Sequence, residues 1–251
     1  LSILTRILFA IFSGIPSDSN ADWTNRYDIQ SSNILEGKYN LEQRLFITAP
    51  LYSYFAAIIK LFFGEFYKFI IISIQVILSA ISVILIAKTA NIIFNTKIAL
   101  ISGVVYALYP ITLYFTHILG QESLFQSLFI FFIYHYFKFL KDKEKKYLFI
   151  SSIFFTLAFL TKSHIIFVIP FIVIFLFLFN KKLIQKVKCI AIFLSVVFLL
   201  TLPYGIYNYK VNGMFVFSSS GHGGMLLISN NDQYYKFLTN PPPINSKEHQ
   251  K

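Results

Sequence analysis

The chain is organised by apolar runs that are too long and too sparsely charged for the core of a water-soluble domain. Residues 69–94 contain a single charged side chain, Lys88, and residues 98–115 and 189–207 contain none. A helix crosses a bilayer with about 20 mostly apolar residues. In lipid, every backbone N–H and C=O must be satisfied inside the segment, which leaves helices or closed barrels as spanning structures. Runs of this length favour helices. Further runs cover residues 1–15, which carry Arg6, and residues 123–140, 147–160 and 165–179. The overall balance agrees: 56% of residues are hydrophobic and 13% charged. A soluble domain carries about 25% charged residues. A soluble enzyme, a coiled coil and a disordered chain are excluded. The expectation is an all-α polytopic transmembrane bundle of about seven spans.

Charge supplies an orientation. Residues 138–146 hold Lys138, Lys141, Lys143, Lys145 and Lys146, and residues 181–188 hold Lys181, Lys182, Lys186 and Lys188. The positive-inside rule places both loops in the cytoplasm. The turn at 95–97 then falls on the same side. Residues 16–67, the turn near 117–122, the turn at Lys162 and everything after Asn208 fall outside. The formal net charge of +11 is therefore read as topology, with no nucleic-acid partner. The first run ends without a small-residue cleavage site and reads as a retained helix, not a signal peptide. The apolar stretch 50–63 is short for a span, and spanning there would invert every later loop. It reads as an interfacial or re-entrant helix. The chain divides into a helical domain, 1–207, whose first outer loop is 16–67, and the start of an outer segment, 208–251, read as part of a longer chain. The single cysteine, Cys189, excludes an internal disulfide framework.

Five of the 11 acids, Asp18, Asp22, Asp28, Glu36 and Glu42, lie within a stretch of 25 residues in the first outer loop. Asp22, just outside the first span, sits where an acid reaches both water and lipid and can work as a general base. Asp18 is the competing position. Glu122 stands at the mouth of an otherwise uncharged span, where an ionisable group faces a cavity or a partner, or simply favours a helix N-terminus. Lys162, between two spans, is a phosphate partner or a snorkelling lysine. Neither acid has an evident helical salt-bridge partner: position 126 is Gln126, and Arg26 lies in a segment of unassigned conformation. His117 with Asp22 and Glu122 makes a divalent metal an alternative, on thin ligand evidence. Motifs for nucleotide hydrolysis, dinucleotide binding and zinc proteolysis are absent.

The order of short motifs resembles a known family. The acid after the first span is followed by Tyr27 and Asn33-Ile34-Leu35-Glu36-Gly37-Lys38-Tyr39. Then come Ala49-Pro50-Leu51-Tyr52, Tyr106-Ala107-Leu108-Tyr109-Pro110, Gly120-Gln121-Glu122-Ser123-Leu124-Phe125 and Leu160-Thr161-Lys162. Leu202-Pro203-Tyr204-Gly205-Ile206-Tyr207-Asn208-Tyr209, Asn212-Gly213 and Ser229-Asn230-Asn231 complete the series. This order resembles GT-C glycosyltransferases of the protein O-mannosyltransferase and lipid A aminoarabinose transferase type. Those membrane enzymes take a sugar from a polyprenyl-phosphate carrier on the non-cytoplasmic side.

The resemblance implies Asp22 as catalytic aspartate and Glu122 as the acid of the second outer loop. Lys162 stands where arginine is commoner, which keeps the charge and loses the bidentate fork. Tyr207 replaces another usual arginine beside Asn208. Tyr27, His117, Lys162 and Asn208 are the implied substrate-binding residues. The implied reaction is inverting transfer of a hexose or pentose to a hydroxyl of a lipid, glycan or protein, by a multi-pass protein of a bacterial cytoplasmic membrane with its site facing outward. Membrane lipid is the surrounding partner, and the divalent metal stays an open alternative as the one cofactor. A lipid-linked sugar transporter or flippase, or a non-catalytic fragment, is the alternative. The topology makes one direct prediction. An impermeant thiol reagent should miss Cys189 in intact cells, and labelling from outside would reverse the orientation.

Overall fold

The computed structural model describes residues 2–38, 48–179 and 182–219. Expectations for Tyr39, Glu42, Lys181 and Ser229-Asn230-Asn231, and for the outer segment beyond 219, lie outside the described residues. Every described regular element is helical. They run α1 (Ser2–Phe12), α2 (Asp28–Leu35), α3 (Leu51–Phe63), α4 (Tyr67–Ile93), α5 (Thr96–Leu108), α6 (Pro110–His117), α7 (Gln121–Asp142), α8 (Lys145–Thr161), α9 (Ile169–Phe179) and α10 (Leu183–Asn212). A π-helical turn, Trp23–Tyr27, leads into α2, and 3-10 turns cover Gly64–Phe66 and Ser163–Val168.

The seven expected segments are all helical, but their lengths do not make seven full spans. Among the described residues three helical runs are long and apolar enough to cross a membrane, or four if one bent pair counts as a span. The helices at Ser2–Phe12 and Ser163–Phe179 are apolar but shorter. The bent pair is α5 and α6, which turn by 49° at Tyr109-Pro110. Proline has no N–H to continue the ladder and pushes the preceding residue out of the helical region. Tyr109 accordingly is extended, at φ −66° and ψ 115°.

The apolar helix expected at 50–63 is α3. A straight helix from Tyr52 to Gln75 would separate them by about 34 Å, yet Tyr52 Oη donates to Gln75 Oε1 at 3.1 Å. The chain therefore folds back at Gly64, whose φ of 51° is a conformation that glycine adopts at little cost. The full-length span in this region is α4.

The core lies between α7, α8 and α10, with α4 along the other side of α7. Phe132, Phe155 and Phe193 fill its centre, and Phe155 meets both other rings edge-on or tilted at 5.3 and 5.2 Å. Large apolar side chains also point outward, such as Phe171, Leu178 and Leu100. That pattern suits a lipid solvent, where the outside need not be polar. Elsewhere, small residues set the packing. Ala99, Gly103 and Ala107, four apart on α5, are buried. A Cβ on Gly103 would stand 3.3 Å from the Ala87 Cβ of α4. Arg6 of α1 is buried and donates from Nε and Nη2 to Ser79 of α4.

The first outer loop is tied to the turn between α6 and α7. Leu119 N–H donates to Ser17 O at 2.8 Å, Asn20 Nδ2 donates to Leu119 O at 3.0 Å, and Gln75 Nε2 donates to the Thr116 and Ile118 carbonyls. A Cβ at Gly120 would meet Asn20 Nδ2 at 2.6 Å and Glu122 Oε2 at 2.7 Å.

Cys189 is almost fully buried, so its silence toward a reagent has a packing cause as well as a topological one. The exposed Lys141, at the same end of the bundle, is the better reporter. Lys141→Cys in a Cys189→Ser background should be labelled only in opened membranes. Gly120→Ala should displace Asn20 and break its bond to Leu119, worth about 1 kcal/mol. Limited proteolysis should then cut the first outer loop faster than in the parent while α7 and α8 stay protected. Unchanged protection would contradict the docking.

Candidate active site

Two antiparallel helices build the centre of the site. Residue 120 ends an extended stretch and α7 begins, with Glu122 in its first turn. An acid there is favoured by the partial positive charge of the helix N-terminus. α7 runs to Asp142 and closes on Lys143 in the left-handed conformation. α8 then returns from Lys145 to Thr161, and Lys162 caps it in an extended conformation. Outgoing and returning helices are close in length, so Glu122 and Lys162 arrive side by side. Lys162 Nζ is 2.9 Å from Glu122 Oε1, and both side chains are about four-fifths buried, at 22% and 20% exposure. The ammonium also stands 5.7 Å over the Phe125 ring. The sheltered pair was not foreseen as a pair, although both of its members were singled out.

Asp22 reaches this rim through the docked loop. Its N–H donates to Asn20 Oδ1 at 3.0 Å, and Asn20 lies against Gly120 beside Glu122. Arg26, whose segment the sequence left without an assigned conformation, pairs with Asp22 at 3.4 Å, because the π-helical turn brings residues four apart onto one face. Both members are half-exposed, where an ion pair is weak and readily exchanged. Asp18, the competing acid, pairs with Lys68 at 2.8 Å. The hydrogen bond and charge of Lys68 hold its carboxyl below the usual range.

Tyr27 is buried, edge-on to Tyr52 at 5.0 Å. Burial, followed by the charges of Glu122 and Asp22, pushes its phenol well above the ordinary range. It therefore stays neutral at working pH and can serve only as a hydrogen-bonding or packing group.

His117 and Asn208 are held elsewhere. The Nε2 of His117 is 2.7 Å from Ile15 O, its ring meets Phe9, and its buried Nδ1 has no partner among the described residues. Asn208 is buried and donates to Val216 O at 2.7 Å, folding the chain back after α10. Ser218 Oγ then donates to Phe159 O, which docks that segment on the last turns of α8 just before Lys162. The donor set does not fit the divalent metal held as an alternative. Glu122 faces an ammonium, Asp22 a guanidinium, and His117 a carbonyl. Among the described residues no three His, Cys, Asp or Glu side chains gather as a metal group.

Sequence reasoning missed the ties around Asp28. Its carboxylate lies 2.7 Å from Lys60 Nζ and accepts from Tyr67 Oη at 2.9 Å, while Lys60 also donates to Asp28 O and Ser32 Oγ. Trp23 stacks on Tyr67 beside it. The available signal was Lys60 itself, a lone charge in an apolar helix that must find a partner.

An apolar groove of about 340 Å³ opens against α8 at Leu160, two residues before Lys162 in the chain. It is lined by Leu51, Tyr54, Leu160, Pro203, Tyr204 and Tyr207. Tyr207, standing where the resembled enzymes carry arginine, thus contributes a ring to this wall.

The family model for dolichyl-phosphate-mannose-protein mannosyltransferase matches residues 48–207. His117, Glu122 and Lys162 lie within the match. Asp18, Asp22 and Tyr27 precede it, and Asn208 follows it. Comparison with curated proteins and with solved structures returns no match. The family match covers more than half of the sequence, and the chain belongs to the dolichyl-phosphate-mannose-protein mannosyltransferase family, as a GT-C-type integral membrane glycosyltransferase that uses polyprenyl-phosphate-linked sugars.

Proposed function

We propose that the chain moves a hexose or pentose from polyprenyl phosphate to an acceptor hydroxyl of a lipid, glycan or protein, with inversion, at the outer face of a bacterial cytoplasmic membrane. The observation that carries this reading is the sheltered Glu122–Lys162 pair, and an apolar groove lined by Leu160 of the same helix end supports it. A polyprenyl-phosphate sugar has the matching anatomy: an isoprenoid chain for the groove and a phosphate for the ammonium. The lysine-rich loops at the opposite end of the bundle support the outward orientation.

In the resting protein, Glu122 is the anion facing Lys162. An arriving phosphate competes for the same ammonium. Lys162 then offsets the charge that grows on the phosphate as the sugar–oxygen bond breaks, and Glu122 is released toward the sugar hydroxyls. Asp22, leaving Arg26, takes the proton of the acceptor hydroxyl while its oxygen attacks the anomeric carbon from the opposite side. The products are the glycosylated acceptor and polyprenyl phosphate, with the proton on Asp22. The leaving group is already a phosphate, so positioning and electrostatics supply most of the catalysis. His117 and Asn208 act by position: the first fixes the end of α1 against α6, and the second holds the segment that braces α8.

Transfer from a panel of polyprenyl-phosphate sugars in membranes tests this assignment. Asp22→Asn and Glu122→Gln should insert normally and each lower transfer by roughly 10²-fold or more, the effect of losing a positioned acid–base group. Asp18→Asn should be mild, because its carboxylate is engaged with Lys68. A severe Asp18 defect beside a mild Asp22 defect would move the base by four residues. Lys162→Ala should weaken donor use strongly, and Lys162→Arg should retain it. Full activity in both Asp22→Asn and Glu122→Gln would remove the mechanism.

A further inference from the structure

A large cavity lies at the other end of the α7–α8 hairpin. It encloses about 710 Å³ and draws Lys143 and Lys145 from the α7–α8 turn and Lys182 and Lys188 from the start of α10. Phe139 and Phe179 form part of its apolar wall. Among the described residues no acidic side chain lines it. The two acids of the nearby turn are already engaged, Asp142 with Lys138 and Glu144 with Lys146. Among the described residues, none of the four lining lysines has a carboxylate partner.

Topology alone explains why lysines are numerous at this end, since loops rich in lysine stay on one side of the membrane. It does not explain their convergence on one concave space of ligand-binding size from two separate loops, without acids. Four ammonium groups around one cavity repel one another unless an anion sits between them. The surroundings identify the anion's carrier. Phe179 borders the cavity and is itself half-exposed, and next to it on α10 Leu183, Ile184 and Val187 are 68%, 63% and 58% exposed. A molecule with its phosphate among the lysines would lay an apolar tail along these side chains. A free phosphate or a soluble nucleotide would leave that surface unused.

We propose that this cavity binds the headgroup of an anionic phospholipid, with its acyl chains against the exposed apolar face of α9 and α10. The assignment rests on the chain being a membrane protein and not on the transfer mechanism. Basic pockets between helices at a membrane surface are suited to anionic headgroups, with each lysine near the surface contributing about 1 kcal/mol.

The test uses the full chain purified in nanodiscs of phosphatidylcholine, titrated with phosphatidylglycerol and read by native mass spectrometry. Phosphatidylglycerol should bind saturably and phosphatidylcholine should not. Lys145→Gln with Lys188→Gln should weaken binding by about 30-fold, the effect of two lysines. Lys145→Arg with Lys188→Arg should preserve it and shows that the positions tolerate change. Lys97→Gln with Lys141→Gln removes equal charge outside the cavity and should leave binding as in the parent. Equal binding of the two lipids, or equal loss in the Lys97/Lys141 control, would overturn the proposal. Displacement by glycerol 3-phosphate at concentrations equal to the lipid would also overturn it, by making the ligand a soluble anion. Because occupancy is read instead of sugar transfer, a failure here is separable from a failure of the transferase mechanism.

Discussion

Glu122 and Lys162 meet because a helix of 22 residues and one of 17 run antiparallel across a short turn. Much of the remaining architecture holds that arrangement in place. Aromatic side chains of α7, α8 and α10 interlock along its length, and the end of α10 folds back through Asn208 and Ser218 onto the last turns of α8. On the α7 side, the close approach at Gly120 lets the first outer loop lie directly against the start of the helix. A charged pair that is four-fifths buried carries a desolvation cost and is weak evidence for stability by itself. Its retention at the mouth of an apolar bundle makes sense where the pair exchanges partners with a substrate.

The acids of the rim differ by environment more than by chemistry. Asp18 and Asp22 both carry cationic partners, and both pairs are solvated. Asp28 is tied by an ammonium and by a phenol on which Trp23 stacks, which suits a structural anchor for the first outer loop. Asp22 has the looser partner, and Asn20, which accepts its N–H, lies against Gly120 beside Glu122. Tyr27 is kept protonated chiefly by burial, with the charges of Glu122 and Asp22 acting in the same direction.

The fold class was legible because lipid restricts backbone options so strongly that length and apolarity suffice. The number of full spans was not, because hydropathy does not show where a helix bends. Pro110 divides one run, and Gly64 turns α3 back on α4 instead of extending it. Glu122 and Lys162 were visible as ionisable groups at the mouths of apolar runs. Their meeting depends on the relative lengths of two helices, which residue types alone do not fix. The Asp22–Arg26 pair was hidden for a local reason: a polar segment gives no periodic signal for a π-helical turn. Lys60 and Asp28, 32 residues apart, needed the fold-back of α3 to become neighbours.

The central claim is that Glu122 and Lys162 serve transfer by the placement of their charges, and not merely by bridging two helices. Exchanging them separates these roles. The double variant Glu122→Lys with Lys162→Glu keeps an ion pair between the same two positions while placing the anion where the carrier phosphate would bind. Measured as transfer from a polyprenyl-phosphate sugar in proteoliposomes, the account predicts an inserted, folded protein whose activity falls by at least about 10²-fold. Parental activity in the exchanged protein would contradict it.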